Sequence, residues 1–269
     1  MKKTITIIAY NRPHNFECML KSLSKNNLEG WDILVGLDHS DVIDQQLDLL
    51  ERFIPQAEVF KRDWCDDFPR NSIARNGHDI VMKAFLTGSE YNIYLEEDIR
   101  ISSDVTSMAD WYINLEEETF CLSFTNIGKC YQDLTNSDAA IIYPNAHCTS
   151  SGGGIGFSPM AWCIKRDVFF NEMSPCWFHQ QGWDWGVHHY LVRTDRRLLI
   201  PYQTRVDHLG LHGAHVGNAK HNRTLGYGAL DVCENHIDTD SFYLSKEFRP
   251  CDFDPRKRDN NDFTVGDGR

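Results

Sequence analysis

Four short apolar runs, separated by three amphipathic segments, occupy residues 4–98, and the last run ends on three acids in a row. Thr4 to Ala9 is a β-branched run that predicts a first strand, ended by Asn11 and Pro13. Phe16, Met19, Leu20 and Leu23 then repeat at i, i+3, i+4 and i+7, one face of a helix. Ile33 to Leu37 predicts a second strand, and Asp41 caps a helix carrying Ile43, Leu47, Leu50 and Ile54. Ala57 to Phe60 is a weaker third strand. Asn71 or Ser72 starts a helix with Ile73, Ile80, Val81, Ala84 and Phe85 on one side. Tyr91 to Leu95 is the fourth strand and runs into Glu96-Glu97-Asp98. Alternation of this kind predicts an α/β fold with a mixed, mostly parallel sheet flanked by helices. Ligands of such sheets bind at the carboxyl ends of the strands, where Asn11, Asp38 and Asp98 fall.

The second half is less regular and rich in Gly, His and Trp, as suits a binding cleft laid on a scaffold. From Lys246 the chain turns polar and charged. The expected division is one domain over 1–245 and a polar tail or edge extension over 246–269. With 41% apolar residues the domain can bury a sizeable core. A net charge of −12 argues against a broad surface for a nucleic-acid backbone, which needs clustered Lys and Arg. Nine Cys with no C-x-x-C pair fit neither a disulfide framework nor a zinc ribbon. No run approaches the ~18 apolar residues of a membrane span, and the N-terminal apolar run is too short for a signal peptide. The expected place of action is therefore the cytoplasm, of a bacterium or a phage-infected host cell.

Four segments carry candidate chemistry. Glu96, Glu97 and Asp98 repel one another unless a cation sits among them, and oxygen ligands suit Mg²⁺ or Mn²⁺ bridging to a diphosphate. The bland alternative is a solvated acidic turn. Between Thr204 and His215 lie His208, His212 and His215, but Gly210 and Gly213 oppose a helix and no H-E-x-x-H pattern exists. A loop bringing one imidazole to a metal or phosphate competes with a structural histidine. In Gly182-Trp183-Asp184-Trp185 a carboxylate between two indoles sits in a partly dry place, which raises its pKa and improves it as a general base. Alternatively Asp184 caps a helix running to Leu191. Gly152 to Gly156 matches neither a dinucleotide fingerprint nor a P-loop, and permits either close backbone approach to a ligand or a tight turn.

Taken in order, these motifs resemble the GT-A glycosyltransferases, and most of all the N-acetylglucosaminyltransferase I family (glycosyltransferase family 13), over residues 4–218. Ile7-Ile8-Ala9-Tyr10-Asn11-Arg12-Pro13 looks like the first strand and nucleotide loop. Val35-Gly36-Leu37-Asp38-His39 looks like the second strand, whose Asp contacts the base. Ile73-Ala74-Arg75-Asn76 resembles the donor-contacting start of a helix. Tyr94-Leu95-Glu96-Glu97-Asp98 resembles the Glu-Asp-Asp form of the DxD motif, Gly154-Ile155-Gly156-Phe157 the Gly-Leu-Gly-Trp loop, and Trp183-Asp184-Trp185 the segment that supplies the base. Arg205 to His215 resembles the region that closes over the diphosphate. Three departures stand out: Glu97 replaces a middle Asp, the segment at Asp184 has one Asp rather than two, and the anchor and stem of the Golgi enzymes are missing.

The resemblance implies a GT-A fold and an inverting transfer from a nucleotide sugar, with UDP as the carrier. Asp98, with His208 or His212, would hold Mn²⁺ or Mg²⁺. Asn11, Arg12, Asp38, Arg75, Glu96, Glu97, Gly154 and Gly156 would contact the donor, and Asp184 would be the base. The acceptor is left open between a saccharide, a protein and a modified base. Two rivals are a sugar-phosphate nucleotidyltransferase and a carbohydrate-binding relic of the fold. The first normally carries a Gly-rich loop after the first strand, which Ala9-Tyr10-Asn11-Arg12-Pro13 lacks.

Overall fold

The computed structural model describes residues 1–63, 71–115, 118–125, 139–142, 157–180, 182–201 and 204–209. The first half follows the alternation of the sequence: β1 (Lys3–Ala9), α1 (Pro13–Leu23), β2 (Trp31–Leu37), α2 (Ile43–Phe53), β3 (Glu58–Lys61), α3 (Ser72–Leu86) and β4 (Tyr91–Glu96). Then come β5 (Ile99–Ile101), α4 (Val105–Ile113), β6 (Cys121–Ser123), β7 (Ala139–Ile142) and β8 (Ala161–Lys165). A helical stretch follows, made of α5 (Arg166–Val168), a π-helical turn (Phe169–Met173) and α6 (Ser174–Cys176). α7 (Trp183–Thr194), β9 (Leu198–Pro201) and β10 (Val206–His208) complete the described chain.

Eight strands form one sheet in the order β3-β2-β1-β4-β8-β6-β9-β7, and β5 pairs with β10 in a separate ribbon. β3, β2, β1 and β4 are parallel, β8 runs against both β4 and β6, β9 is parallel to β6, and β7 runs against β9. The sheet is thus mixed and mostly parallel, as the sequence predicts. Of its two reversed strands, β8 lies at the centre and β7 at the edge.

Side chains of a strand alternate between its faces, and β1 divides the core accordingly. Ile5, Ile7 and Ala9 pack with Phe16, Met19 and Leu20 of α1 and with Ile33, Val35 and Leu37. Ile8 faces the other way, with Leu34, Tyr94, Ala74, Ile80, Val81 and Phe85, and this second layer continues through Trp162, Phe169, Trp177 and Trp183 to α7. Pro13 opens α1, where its missing N–H costs nothing. Asp41 does not cap α2: Val42 holds the N-cap position and no side chain bonds the first turn. The chain reaches the helix through a turn in which Ile43 N–H donates to Ser40 C=O at 3.4 Å. No helix among the described residues is long and apolar enough to cross a membrane. The expected tail, 246–269, lies outside the described residues.

Candidate functional site

Register brings the acidic triplet to the loop after β1. Ile8 pairs with Glu96 and Ile8 also pairs with Gly36, so β1, β2 and β4 end nearly flush. Asp38 N–H donates to Ala9 C=O at 2.8 Å, closing the β1–β2 edge. Tyr10 N–H donates to Glu97 Oε2 at 2.8 Å, and Arg12 Nε donates to Glu97 Oε1 at 3.0 Å. Arg12 Nη1 reaches Asp98 Oδ2 at 2.6 Å. One guanidinium therefore answers two of the three carboxylates. Electrostatic repulsion within the triplet does call for a cation, and Arg12 supplies part of it.

Asp98 is also gripped from the β5–β10 ribbon. His208 pairs with Ile99, His208 Nε2 lies 3.2 Å from Asp98 Oδ2, and Leu209 N–H donates to Asp98 C=O at 2.7 Å. Asp98 is 4% exposed, and its Oδ1 is buried with no hydrogen-bond partner among the described residues. Burial pushes its carboxyl up, but His208 and Arg12 outweigh burial and hold it below the usual range. Glu96 goes the other way. Burial, then the charge of Asp98, push it up to about 8 against the pull of Arg12, and Asp184 and Glu97 add to the push. Tyr94 O–H lies 3.5 Å from Glu96 Oε1, on the same face of β4. Burial also raises Glu97, opposed by Arg12.

Among the described residues no group of three or more His, Cys, Asp or Glu could hold a metal ion by itself. A donor-bridging Mg²⁺ or Mn²⁺ needs less, since such ions take one or two carboxylates together with phosphate oxygens and waters. The unpartnered Oδ1 of Asp98, beside an imidazole, fits that minimal set. His212, Gly154 and Gly156 lie outside the described residues.

A second polar cluster forms at the end of β2. Asp38 is 3% exposed, and burial raises its carboxyl, opposed by hydrogen bonds from Ser72 and Asn76 and by Arg62. Arg62 bridges Asp38 at 3.6 Å and Asp79 at 3.1 Å. Ser72 and Asn76 are four apart on α3 and so share a face. That spacing is readable in the sequence, but a contact of either residue with Asp38 is not. Arg75 is half-buried on α3, and Asn11 is exposed in the loop after β1.

Gly36 permits the approach of α3. Asn76 Nδ2 donates to Gly36 C=O at 2.9 Å, and a Cβ on Gly36 would collide with Asn76 Oδ1. Gly36→Ala should therefore expel the Asn76 amide and break a buried hydrogen bond, costing about 1–3 kcal/mol. A urea melt reads this directly. An unchanged midpoint would mean that Asn76 has room to turn aside.

The third component arrives on α7. Gly182 precedes the helix with φ +78°, in the left-handed region, so Asp184 is its second residue and not the N-cap. Trp183 is buried and stacked on Trp177 at 3.7 Å, with interplanar angle 9°, and it meets Tyr94 edge-on at 6.1 Å. Tyr94 ties that packing to β4. Burial raises the Asp184 carboxyl against the N–H groups of Asp184 and Trp185, and Asp184 acts electrostatically on Glu96. The acid that ends β4 and the acid of α7 thus lie within electrostatic reach, although the sequence separates them by 88 positions.

No protein-family model and no curated protein sequence matches the chain. Solved structures do. The mannosyltransferase PcManGT from Pyrobaculum calidifontis, in complex with GDP-Man and Mn²⁺, superposes with a TM-score of 0.54 at 11% identity. The match covers 80% of this chain and 58% of that one, so the chain spans little more than half of its length. S. aureus TarS 1-349 matches with a TM-score of 0.49 at 13% identity, over 84% of this chain and 69% of that one. Mouse xyloside xylosyltransferase 1 gives 0.45 at 10%, over 73% and 82%. The fold is the α/β GT-A arrangement expected from the sequence.

Proposed function

We propose that the protein is a metal-dependent, inverting glycosyltransferase that moves a sugar from a nucleotide sugar, with UDP as carrier, to an acceptor hydroxyl. The observation that carries this reading is the buried, unpartnered Oδ1 of Asp98 beside His208 at the carboxyl edge of a GT-A sheet. A protein of the same fold holds GDP-Man and Mn²⁺, and the motif order keeps family 13 as the nearest relation proposed. The finer class is a hexosyl- or N-acetylhexosaminyl-transferase.

Asp98 and His208 would hold Mn²⁺ or Mg²⁺, which when bound neutralises the departing diphosphate. Asp38, held by Ser72 and Asn76, would contact the base of the nucleotide, and Asn11 and Arg75 the rest of the donor. Arg12 and Glu97 hold the loop after β1 against the triplet, so their contribution is to position Asp98. Glu96, within electrostatic reach of both Asp98 and Asp184, is left for the donor sugar. Asp184 takes the proton of the acceptor hydroxyl. We place the reaction in a cytoplasm. The four described cysteines, Cys18, Cys121, Cys163 and Cys176, are all free, as reducing compartments keep them.

Calorimetric titration with UDP tests the donor site. Binding should be at least about tenfold tighter with Mn²⁺ than with chelator. Equal affinity in both, or binding of other nucleotides only, would overturn the reading. Intact mass of saccharide, protein and modified-base acceptors, after incubation with a panel of nucleotide sugars, then identifies sugar and acceptor class.

A further inference from the structure

Two indoles flank Asp184, and the fold treats them oppositely. Trp183 belongs to the core: it is 4% exposed and lies between Trp177, Tyr94 and Phe157. Trp185 is 42% exposed. A helix turns about 100° per residue, so positions two apart point to opposite sides, and α7 buries Trp183, Gly186, Val187 and Leu191. Trp185 is nonetheless held in place. A Cβ on Gly182 would lie 3.2 Å from its Cδ1, and the rings of His188 and His189 lie 6.0 and 6.1 Å away.

A second exposed aromatic borders the same turn. Phe178 is 45% exposed, and a Cβ on Gly186 would sit 3.2 Å from both its Cδ atoms, so its ring covers Gly186. The other exposed large hydrophobic residues among those described are Met1, at the terminus, and Leu86, at the end of α3. An exposed aromatic ring leaves apolar surface in water that burial would favour. Trp185 on α7 and Phe178 against it both accept that loss, on the helix that carries the carboxylate proposed as base.

We infer that Trp185 is the platform that holds the acceptor, and that the acceptor presents a neutral pyranose ring. This rests on the reading of Asp184 as base. A flat indole face complements the C–H face of a pyranose and leaves the sugar hydroxyls at the rim, where Asp184 can reach one. A nucleobase could stack on the same ring, but its strand would bring a phosphate backbone onto a chain of net charge −12. A Ser or Thr on a protein offers no flat face. Trp185 thus acts as a specificity residue for a saccharide.

Saturation-transfer NMR on the full chain tests the inference, with methyl β-pyranosides of glucose, galactose, mannose and N-acetylglucosamine as probes and UDP with Mn²⁺ in the same tube. At least one pyranoside should receive saturation on its ring protons. Trp185→Ala should weaken its binding about tenfold or more, Trp185→Phe should keep part of it, and UDP should bind all three proteins alike. The inference falls if no pyranoside binds the parent, if Trp185→Ala binds like the parent, or if Trp185→Ala loses UDP and its urea midpoint together. Failure of the transferase reading looks different: the pyranoside still depends on Trp185, but UDP with Mn²⁺ does not bind. In that case the platform stands.

Discussion

Asp98→Asn is expected to abolish metal-supported donor binding while the chain stays folded. The carboxamide keeps the shape of the side chain, so the Leu209 contact to the Asp98 backbone is untouched. Arg12 is not stranded, because its Nε still donates to Glu97 Oε1 at 3.0 Å. Losing one partner of a buried pair costs about 3–5 kcal/mol when the other charge is left alone. Here the second carboxylate and the relief of Glu96 keep the loss well short of that. The cation has no such reserve. Changing even an outer partner of a metal ligand lowers affinity about 10–100-fold, and Asp98 is proposed as the ligand itself. The expected result is loss of the Mn²⁺ effect on UDP binding by about 10²-fold or more, with a modest shift of the urea midpoint. Near-parental turnover would reduce Asp98 to a turn residue held by Arg12 and His208.

The sequence carried the first half of the fold because each of its elements satisfies a local periodicity. Ile5, Ile7 and Ala9 against Ile8 already separate the two faces of β1, and Phe16 to Leu23 declares the buried side of α1. The second half lacked such a signal. β6 has three residues and β8 five, too few for alternation to be read. The insertion of β8 between β4 and β6 is a choice of topology that no window of sequence contains. The site divides in the same way. Asp38 and Asp98 were legible as strand-end acids. The Arg12 pair with Asp98 spans 86 positions, so the cation required by the triplet could not be identified as Arg12. Trp183 and Trp185 read as equivalent neighbours of Asp184, and only the packing of Trp177 and Tyr94 tells them apart.

Asp184→Asn should separate chemistry from binding. A single displacement needs one carboxylate near the acceptor hydroxyl and apart from the metal, and α7 delivers Asp184 from a different element than the triplet. Removing a general base costs about 10²–10⁴-fold in rate. Donor affinity should barely change, because Asp38, Asp98 and Arg12 sit on the ends of β1, β2 and β4. The pH profile gives a second reading. Burial raises the Asp184 carboxyl, and the base works only when ionised, so turnover should fall as pH drops through that raised value. The Asn variant, having no carboxyl there, should lose this acidic limb along with most of the rate. The competing account is that Asp184 merely accepts from the N–H groups of its own turn and steadies α7. The structure puts Gly182 at the N-cap, and Asn would still accept such a bond through its carboxamide oxygen. Loss of a capping interaction costs about 0.5–2 kcal/mol for Ala and less for Asn. A helix-stabilising role therefore predicts that Asp184→Asn is close to the parent in rate and pH profile, and that Asp184→Ala loses stability. Base catalysis predicts that both variants lose the rate alike. A stable Asn variant turning over acceptor at the parental rate would take Asp184 out of the mechanism and leave Asp207 and His208, on β10, as the groups to test.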